Sequence, residues 1–269
     1  MSYFIYGLIF FLLYLSLIAP RFPKRKATKE YMGKCYAHRG LFSDTNLIPE
    51  NSLPAFLQAV KNGYGIELDV QLTKDKQVVV FHDNTLSRMC GIDVQVRDKT
   101  YRELCELTLL STDYKIPLLS EVLKLVDGKV PLLIEIKLPV FSTLTCGLVN
   151  ELLCNYKGKY CIESFNTLAL LWYRLKRPDV VRGQLSANLT RPVADGGFFL
   201  CFLVKYLLTN ILARPDFISF CYKDTLNLSY LLNKYLFRAA TFAWTIDSPK
   251  AYADSYRKFD SFIFEGFQA

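Results

Sequence analysis

The chain has 269 residues, 51% of them apolar, a formal net charge of +8 and only two histidines. That length and apolar share suit one large α/β domain with a short appendage and exclude a small disulfide-built domain. The charge does not signal nucleic acid, because Arg21, Lys24, Arg25, Lys26 and Lys29 crowd one short stretch, and such a flank suits anionic lipid headgroups better.

Tyr3 to Ala19 is a nearly unbroken apolar run, about as long as the shortest helices that span a bilayer, and a transmembrane helix is expected there. A cleaved signal peptide is the alternative, but no Lys or Arg precedes the run and Leu17 and Ala19 make a poor small-x-small cleavage site. Positive charge on the C-terminal side orients such a span with its start outside and the body in the cytoplasm. The expected organisation is an anchor and basic flank over 1–29, then a barrel domain over 30–269, on the cytoplasmic side of the cell membrane. The eight cysteines include no C-x-x-C pair, and several, such as Cys35, Cys201 and Cys221, lie in apolar runs, so they read as buried thiols.

Beyond the flank, short β-branched or aromatic runs predict strands at 34–37, 66–72, 77–82, 131–137, 160–164, 180–185, 217–221, 239–246 and 260–264. Helix signals fall between them: Asn51 or Ser52 ahead of a helix ending at Asn62-Gly63, a capping box from Thr100 to Glu103, and Ser248-Pro249 opening the last helix. Alternation of this kind predicts a parallel (β/α)8 TIM barrel. Only Thr73 to Lys76 separate the second and third strands, too few for a parallel crossover, so the barrel is expected to be irregular there. Nine strands also compete for eight places, which makes either 239–246 or 260–264 a poor fit. There is no internal repeat and no low-complexity tract.

Alternate side chains of a strand share a face, so Glu67 and Asp69 point one way, as do Glu135 and Lys137. Clustered carboxylates inside a barrel raise one another's pKa and need a positive neighbour. Two readings remain open: Arg39 and Lys137 neutralise them in a structural ion-pair network, or a hard divalent cation, Mg²⁺ or Ca²⁺, sits among the oxygens and leaves Arg39 and Lys137 to grip a phosphate. The histidines His38 and His82 suit one proton acceptor and one donor near neutrality, although an isolated histidine is more often a plain core or loop residue.

His38-Arg39-Gly40, Pro49-Glu50-Asn51-Ser52, Glu67-Leu68-Asp69-Val70, His82-Asp83, Glu135-Ile136-Lys137 and Ser164-Phe165 stand in one order over most of the chain from about residue 34. In that order and spacing they resemble the glycerophosphodiester phosphodiesterase family, here of a membrane-anchored bacterial type. The resemblance implies a metal-dependent hydrolase in which His38 and His82 act as base and acid, Glu67, Asp69 and Glu135 hold the cation, and Arg39 and Lys137 contact phosphate. Trp244-Thr245-Ile246-Asp247 and Phe264-Glu265-Gly266-Phe267 depart from the family pattern, which leaves the substrate's identity open. Phe165 and Trp244 line an alcohol pocket or serve only as core.

The apolar stretch from Phe198 to Leu212, interrupted by Lys205, is too short to span a bilayer; it packs as a barrel helix or dips toward lipid. The expected activity is hydrolysis of glycerophosphodiesters to glycerol phosphate and an alcohol at a membrane surface, with no nucleic-acid partner and no obligate protein partner. The alternatives are a phospholipase of C or D type acting on lysophospholipid, and a non-catalytic anion-binding module.

Overall fold

Eight strands buried on both faces close into a ring, with their apolar outer faces covered by helices. The computed structural model describes residues 2–22, 24, 26–43, 45, 47–138, 141–190 and 197–269. The strands are β1 (Cys35–Ala37), β2 (Gly65–Leu72), β3 (Val78–Val80), β4 (Leu132–Ile136), β5 (Tyr160–Ser164), β6 (Arg182–Ser186), β7 (Phe217–Cys221), β8 (Ala240–Ile246) and β9 (Ser261–Phe264). Their order is β1-β9-β8-β7-β6-β5-β4-β2, and β1 pairs with β2 to close the barrel.

Both 240–246 and 261–264 belong to the ring, which corrects the expectation that one of them fits poorly. The supernumerary strand is β3. It follows a tight turn in which the Thr73 amide donates to the Gln77 carbonyl, so it can only fold back antiparallel on β2, with Val70 opposite Val80. The irregularity expected between the second and third strands is this hairpin. The segment that follows builds a small core of its own from residues such as Phe81, Leu86, Met89, Val96 and Leu104 before the chain returns to the ring at β4.

The expected helix boundaries hold. Ser52 caps the helix Leu53–Lys61 by accepting from the Ala55 amide, Thr100 and Glu103 form a reciprocal capping box, and Ser248 caps Pro249–Ser255. Inside the ring, Tyr36, Leu133, Cys161, Phe217, Phe242 and Ile263 form an apolar floor at the N-terminal end of the strands. Phe217 and Phe242 stack with ring centres 4.3 Å apart. This floor depends on glycine: a Cβ on Gly65 would lie 2.5 Å from the Tyr36 ring, and one on Gly183 would lie 2.0 Å from Phe217.

The membrane-spanning helix expected over Tyr3–Ala19 is not found; among the described residues no helix is long and apolar enough to cross a membrane. The run does form a helix, Ser2–Ile18, but its last turn is built into the barrel instead of being free to enter lipid. Ile18 is fully buried, its carbonyl accepts from Asn210 and Asn233, and the Tyr14 hydroxyl lies 2.7 Å from that of Ser229. The exposed part, Tyr3–Leu13, is about 17 Å long, well short of the ~30 Å hydrocarbon core of a bilayer. From Ala19 the chain crosses the end of the barrel opposite the mouth, where the Arg21 amide donates to the Pro215 carbonyl and the Tyr31 hydroxyl to the Tyr160 carbonyl. Arg25 of the basic flank lies outside the described residues.

Candidate active site

The inward side chains of successive strands rise in layers from the apolar floor. Tyr36 is followed on the same face by His38, Gly65 by Glu67 and Asp69, Leu133 by Glu135 and Lys137, and Cys161 by Glu163 and Phe165. The pairings Asp69 with Glu135 and Glu135 with Glu163 put these carboxylates side by side across adjacent strands. Glu67, Asp69 and Glu135 are all buried, and one oxygen from each lies within 4.8 Å of the others.

Burial raises the pKa of Glu67 well above the usual carboxylate range, and the charges of Asp69, Glu163 and Glu135 push it the same way. Glu135 is raised by burial and by Asp69, although Lys137 pulls against both. Burial also opposes ionisation of Asp69, but Lys137, His82 and Arg39 outweigh it and hold that carboxyl well below its ordinary value. Lys137 Nζ stands 3.0 Å from Asp69 Oδ1 and 2.9 Å from Glu135 Oε1. Arg39 lies 2.8 Å from Glu50 Oε1 and 3.6 Å from Asp69 Oδ2, and the Asn51 amide donates to Asp69 Oδ2 at 2.9 Å.

Three dry carboxylates with one lysine and one arginine among them make an all-oxygen donor set. Oxygens at this spacing fit a single hard cation with bonds of about 2.0–2.6 Å. The raised pKa of Glu67 and Glu135 is the strain that such a charge would relieve.

The histidines stand at the rim of this cluster in matching arrangements. His38 Nδ1 lies 2.5 Å from Glu265 Oε2, and its Nε2 is 3.9 Å from Glu67 Oε2. Burial lowers the pKa of His38 and Glu265 partly opposes this. His82 Nδ1 lies 2.6 Å from Asp83 Oδ1, and Arg88 Nε grips Asp83 Oδ2 at 2.7 Å while its other nitrogens reach Glu50. His38 follows the C-terminal end of β1, where barrels place their chemistry. His82 arrives differently: it follows β3, which runs back down, and the Phe81 amide donates to the Asp69 carbonyl.

Phe165, the residue after β5, and Trp244, within β8, meet edge to face with centres 5.4 Å apart, so the two half-buried rings form one aromatic wall of the mouth. Sequence patterning misses Glu163 and Arg88, gives Glu50, Asp83 and Glu265 no roles, and offers Asn51 only as a helix cap, a place that Ser52 takes. Glu163 and Glu265 carry a legible signal: each sits two residues after an inward residue, Cys161 or Ile263, in the same alternation that exposes Glu67 and Asp69. Arg88 gives no such signal, because only the fold of the β3 excursion returns it to Glu50.

A profile of the glycerophosphoryl diester phosphodiesterase family matches residues 38–195. The chain belongs to this family. It is 30% identical over 224 residues to a glycerophosphodiester phosphodiesterase of Caldanaerobacter subterraneus, covering 78% of this chain and 84% of the relative. A lysophospholipase D of Rattus norvegicus is 35% identical over 160 residues, 55% of this chain and 49% of that protein. Among solved structures, the glycerophosphodiester phosphodiesterase of Thermotoga maritima superposes with a TM-score of 0.65 at 29% identity, over 86% of this chain and 93% of that one. A phosphodiesterase of Oleispira antarctica, solved with sn-glycerol-3-phosphate, shares the fold with a TM-score of 0.70 at 22% identity, over 88% and 94% of the two chains. The protein is thus a phosphoric diester hydrolase of the glycerophosphodiester phosphodiesterase family, and the non-catalytic reading falls away.

Proposed function

We propose that the chain hydrolyses glycerophosphodiesters to glycerol phosphate and an alcohol, with a divalent cation, Mg²⁺ or Ca²⁺, held by Glu67, Asp69 and Glu135. The observation that carries this reading is the pair of histidines, each tied through Nδ1 to a carboxylate, flanking one buried acidic cluster at a barrel mouth. A proton on Nδ1 facing Glu265 leaves the Nε2 lone pair of His38 directed at the site, and the lowered pKa keeps that imidazole neutral. His38 therefore takes the proton from the attacking hydroxyl, and His82 gives one to the departing alcohol oxygen as the P–O bond breaks. The cation, when bound, supplies positive charge to the phosphate oxygens. Arg39 and Lys137 add fixed positive charge beside them, and the Phe165–Trp244 wall takes the alcohol portion.

The similarity to a lysophospholipase D favours a second substrate class, lysophospholipids, for the same chemistry. The exposed apolar helix Tyr3–Leu13 supports work at a membrane surface, and the free state of the eight cysteines suits the reducing, cytoplasmic side. The deciding experiment incubates the full chain with glycerophosphocholine or lysophosphatidylcholine, with and without EDTA, and identifies products by ³¹P NMR. Glycerol phosphate from the first substrate, lost with chelator and regained with Mg²⁺ or Ca²⁺, is the expected result. Turnover that survives complete chelation overturns the cation assignment.

A further inference from the structure

Exposed apolar residues occur at both ends of the barrel, Phe22 and Tyr235 among them at the basic end, but the most exposed of those outside the N-terminal helix stand at the mouth. Between β6 and β7 lies the helix Phe198–Lys205, whose last turn is pinned to the top of β6 by Ser186 Oγ donating to the Val204 carbonyl. Phe198 and Phe199 in its first turn are 61% and 70% exposed. After β7, Leu226 is 93% exposed; after β4, Phe141 is 85% exposed; and after β1, Leu47 is 68% exposed. These positions all follow the C-terminal ends of barrel strands, the end that carries His38 and the acidic cluster.

The N-terminal helix points the same way. Tyr14 meets Ser229 near the start of the helix Leu228–Leu231, and Ile18 meets Asn233 one turn later. The chain there descends from the end of β7 toward the start of β8, and the N-terminal helix runs beside it in the same direction. Its free end, Tyr3–Leu13, therefore projects past the mouth side of the barrel. The Ile18 and Tyr14 contacts, with Arg214 Nη1 donating to the Ser16 and Ala19 carbonyls, fix this projection to the barrel.

We propose that the mouth of the barrel rests on a lipid bilayer, with Tyr3–Leu13 inserted into one leaflet and Phe198, Phe199 and Leu226 seated at its surface. This rests on the phosphodiesterase reading and names its substrate class, phosphodiesters borne by lipid, lysophospholipids above all. The projecting helix is exposed at every position from Tyr3 to Leu13, so a one-sided protein groove leaves half of it in water, whereas hydrocarbon surrounds it. Its ~17 Å length matches about one leaflet, half of the ~30 Å core. Charge at this end does not oppose anionic headgroups: residues 2–18 and 197–205 contain no Asp or Glu, and the second stretch ends in Lys205.

The opposite end of the barrel is basic, with Lys24, Lys29, Lys234, Arg238, Arg257 and Lys258 around one cleft, and supplies the competing orientation. Docking through that end leaves the apolar projection in water and is abolished by salt.

The test is sedimentation of the full chain with vesicles of phosphatidylcholine and phosphatidylglycerol in low salt and in 0.5 M NaCl. Comparison is with the double variant Phe198→Ser/Phe199→Ser and with Lys234→Ser/Arg257→Ser at the basic end. Binding that persists in high salt, falls at least tenfold in the Phe variant and is unchanged in the basic-end variant is expected. Brominated phospholipid should quench the added emission of Phe198→Trp, a variant that keeps the apolar surface, but not that of Tyr235→Trp. On soluble glycerophosphocholine the Phe198→Ser/Phe199→Ser variant should keep its rate, and on vesicle-borne lysophosphatidylcholine it should lose at least tenfold.

Binding lost in high salt, quenching of Tyr235→Trp instead of Phe198→Trp, or a dimer that shields Phe198 from lipid overturns the proposed docking. Absence of turnover on both substrates removes the phosphodiesterase reading, while the vesicle and quenching results still decide the docking face.

Discussion

His38 and Glu265 share a 2.5 Å hydrogen bond across the seam where the first and last barrel strands pair, so the two ends of the barrel sequence are joined at the proposed base. The contact holds Glu265 below the usual carboxylate range, His38 being the largest cause, so Glu265 is ionised and orients the ring. Replacing it by Gln keeps the shape but removes the charge that fixes the Nδ1–H tautomer. Glu265→Gln should lower kcat by about 10- to 100-fold with little change in KM, read by steady-state hydrolysis of glycerophosphocholine.

Removing either proposed proton carrier tests the acid–base assignment directly. His38→Ala and His82→Ala should each reduce kcat by roughly 10²- to 10⁴-fold with the fold intact by circular dichroism. Full activity in both variants would remove the histidines from the mechanism.

Glu67 sits in the acidic cluster at a cost to the metal-free fold. Its folded pKa is raised, so stability declines as pH rises above the unfolded value of about 4.3. Glu67→Gln lacks that penalty. In EDTA the variant should melt at least as high as the parent at pH 7, with the difference vanishing near pH 4, while its turnover with Mg²⁺ or Ca²⁺ is lost. Differential scanning calorimetry across pH reads the first effect.

Asp83 behaves in the opposite sense. Burial opposes its ionisation, but His82 and Arg88 outweigh this and hold its pKa well below the ordinary value. Its contribution is therefore complete above the unfolded pKa of about 3.9 and is lost as pH falls through the folded one. Asp83→Asn should melt below the parent at pH 5 to 7, and the two curves should converge as pH drops below about 4.

The seat of the N-terminal helix is tested by Ile18, which is fully buried against the barrel. Ile18→Ala should destabilise the protein by about 2–4 kcal/mol in urea denaturation, because it leaves a cavity in a packed site. A loss of less than half a kcal/mol would mean that the helix is not docked in solution.

Period-2 alternation alone assigns Glu67, Asp69, Glu135 and Lys137 to inward faces, because a strand offers its side chains only two directions. Capping at Ser52, Thr100 and Ser248 is local hydrogen-bond chemistry, and all nine strands are visible as apolar runs for a similarly local reason. The short Thr73–Lys76 link already bars a parallel crossover between the second and third strands, but only tertiary structure decided that 240–246 and 261–264 both join the ring, since that depends on β9 pairing with β1 and β8. The same holds for Arg88 bridging Asp83 and Glu50, residues 5 and 38 positions away. Hydropathy marked Tyr3–Ala19 as apolar, but could not foresee Asn210 and Asn233 converging on the Ile18 carbonyl. Composition along the chain sets which side chains avoid water; whether lipid or the protein's own helices cover them depends on contacts between residues some two hundred positions apart.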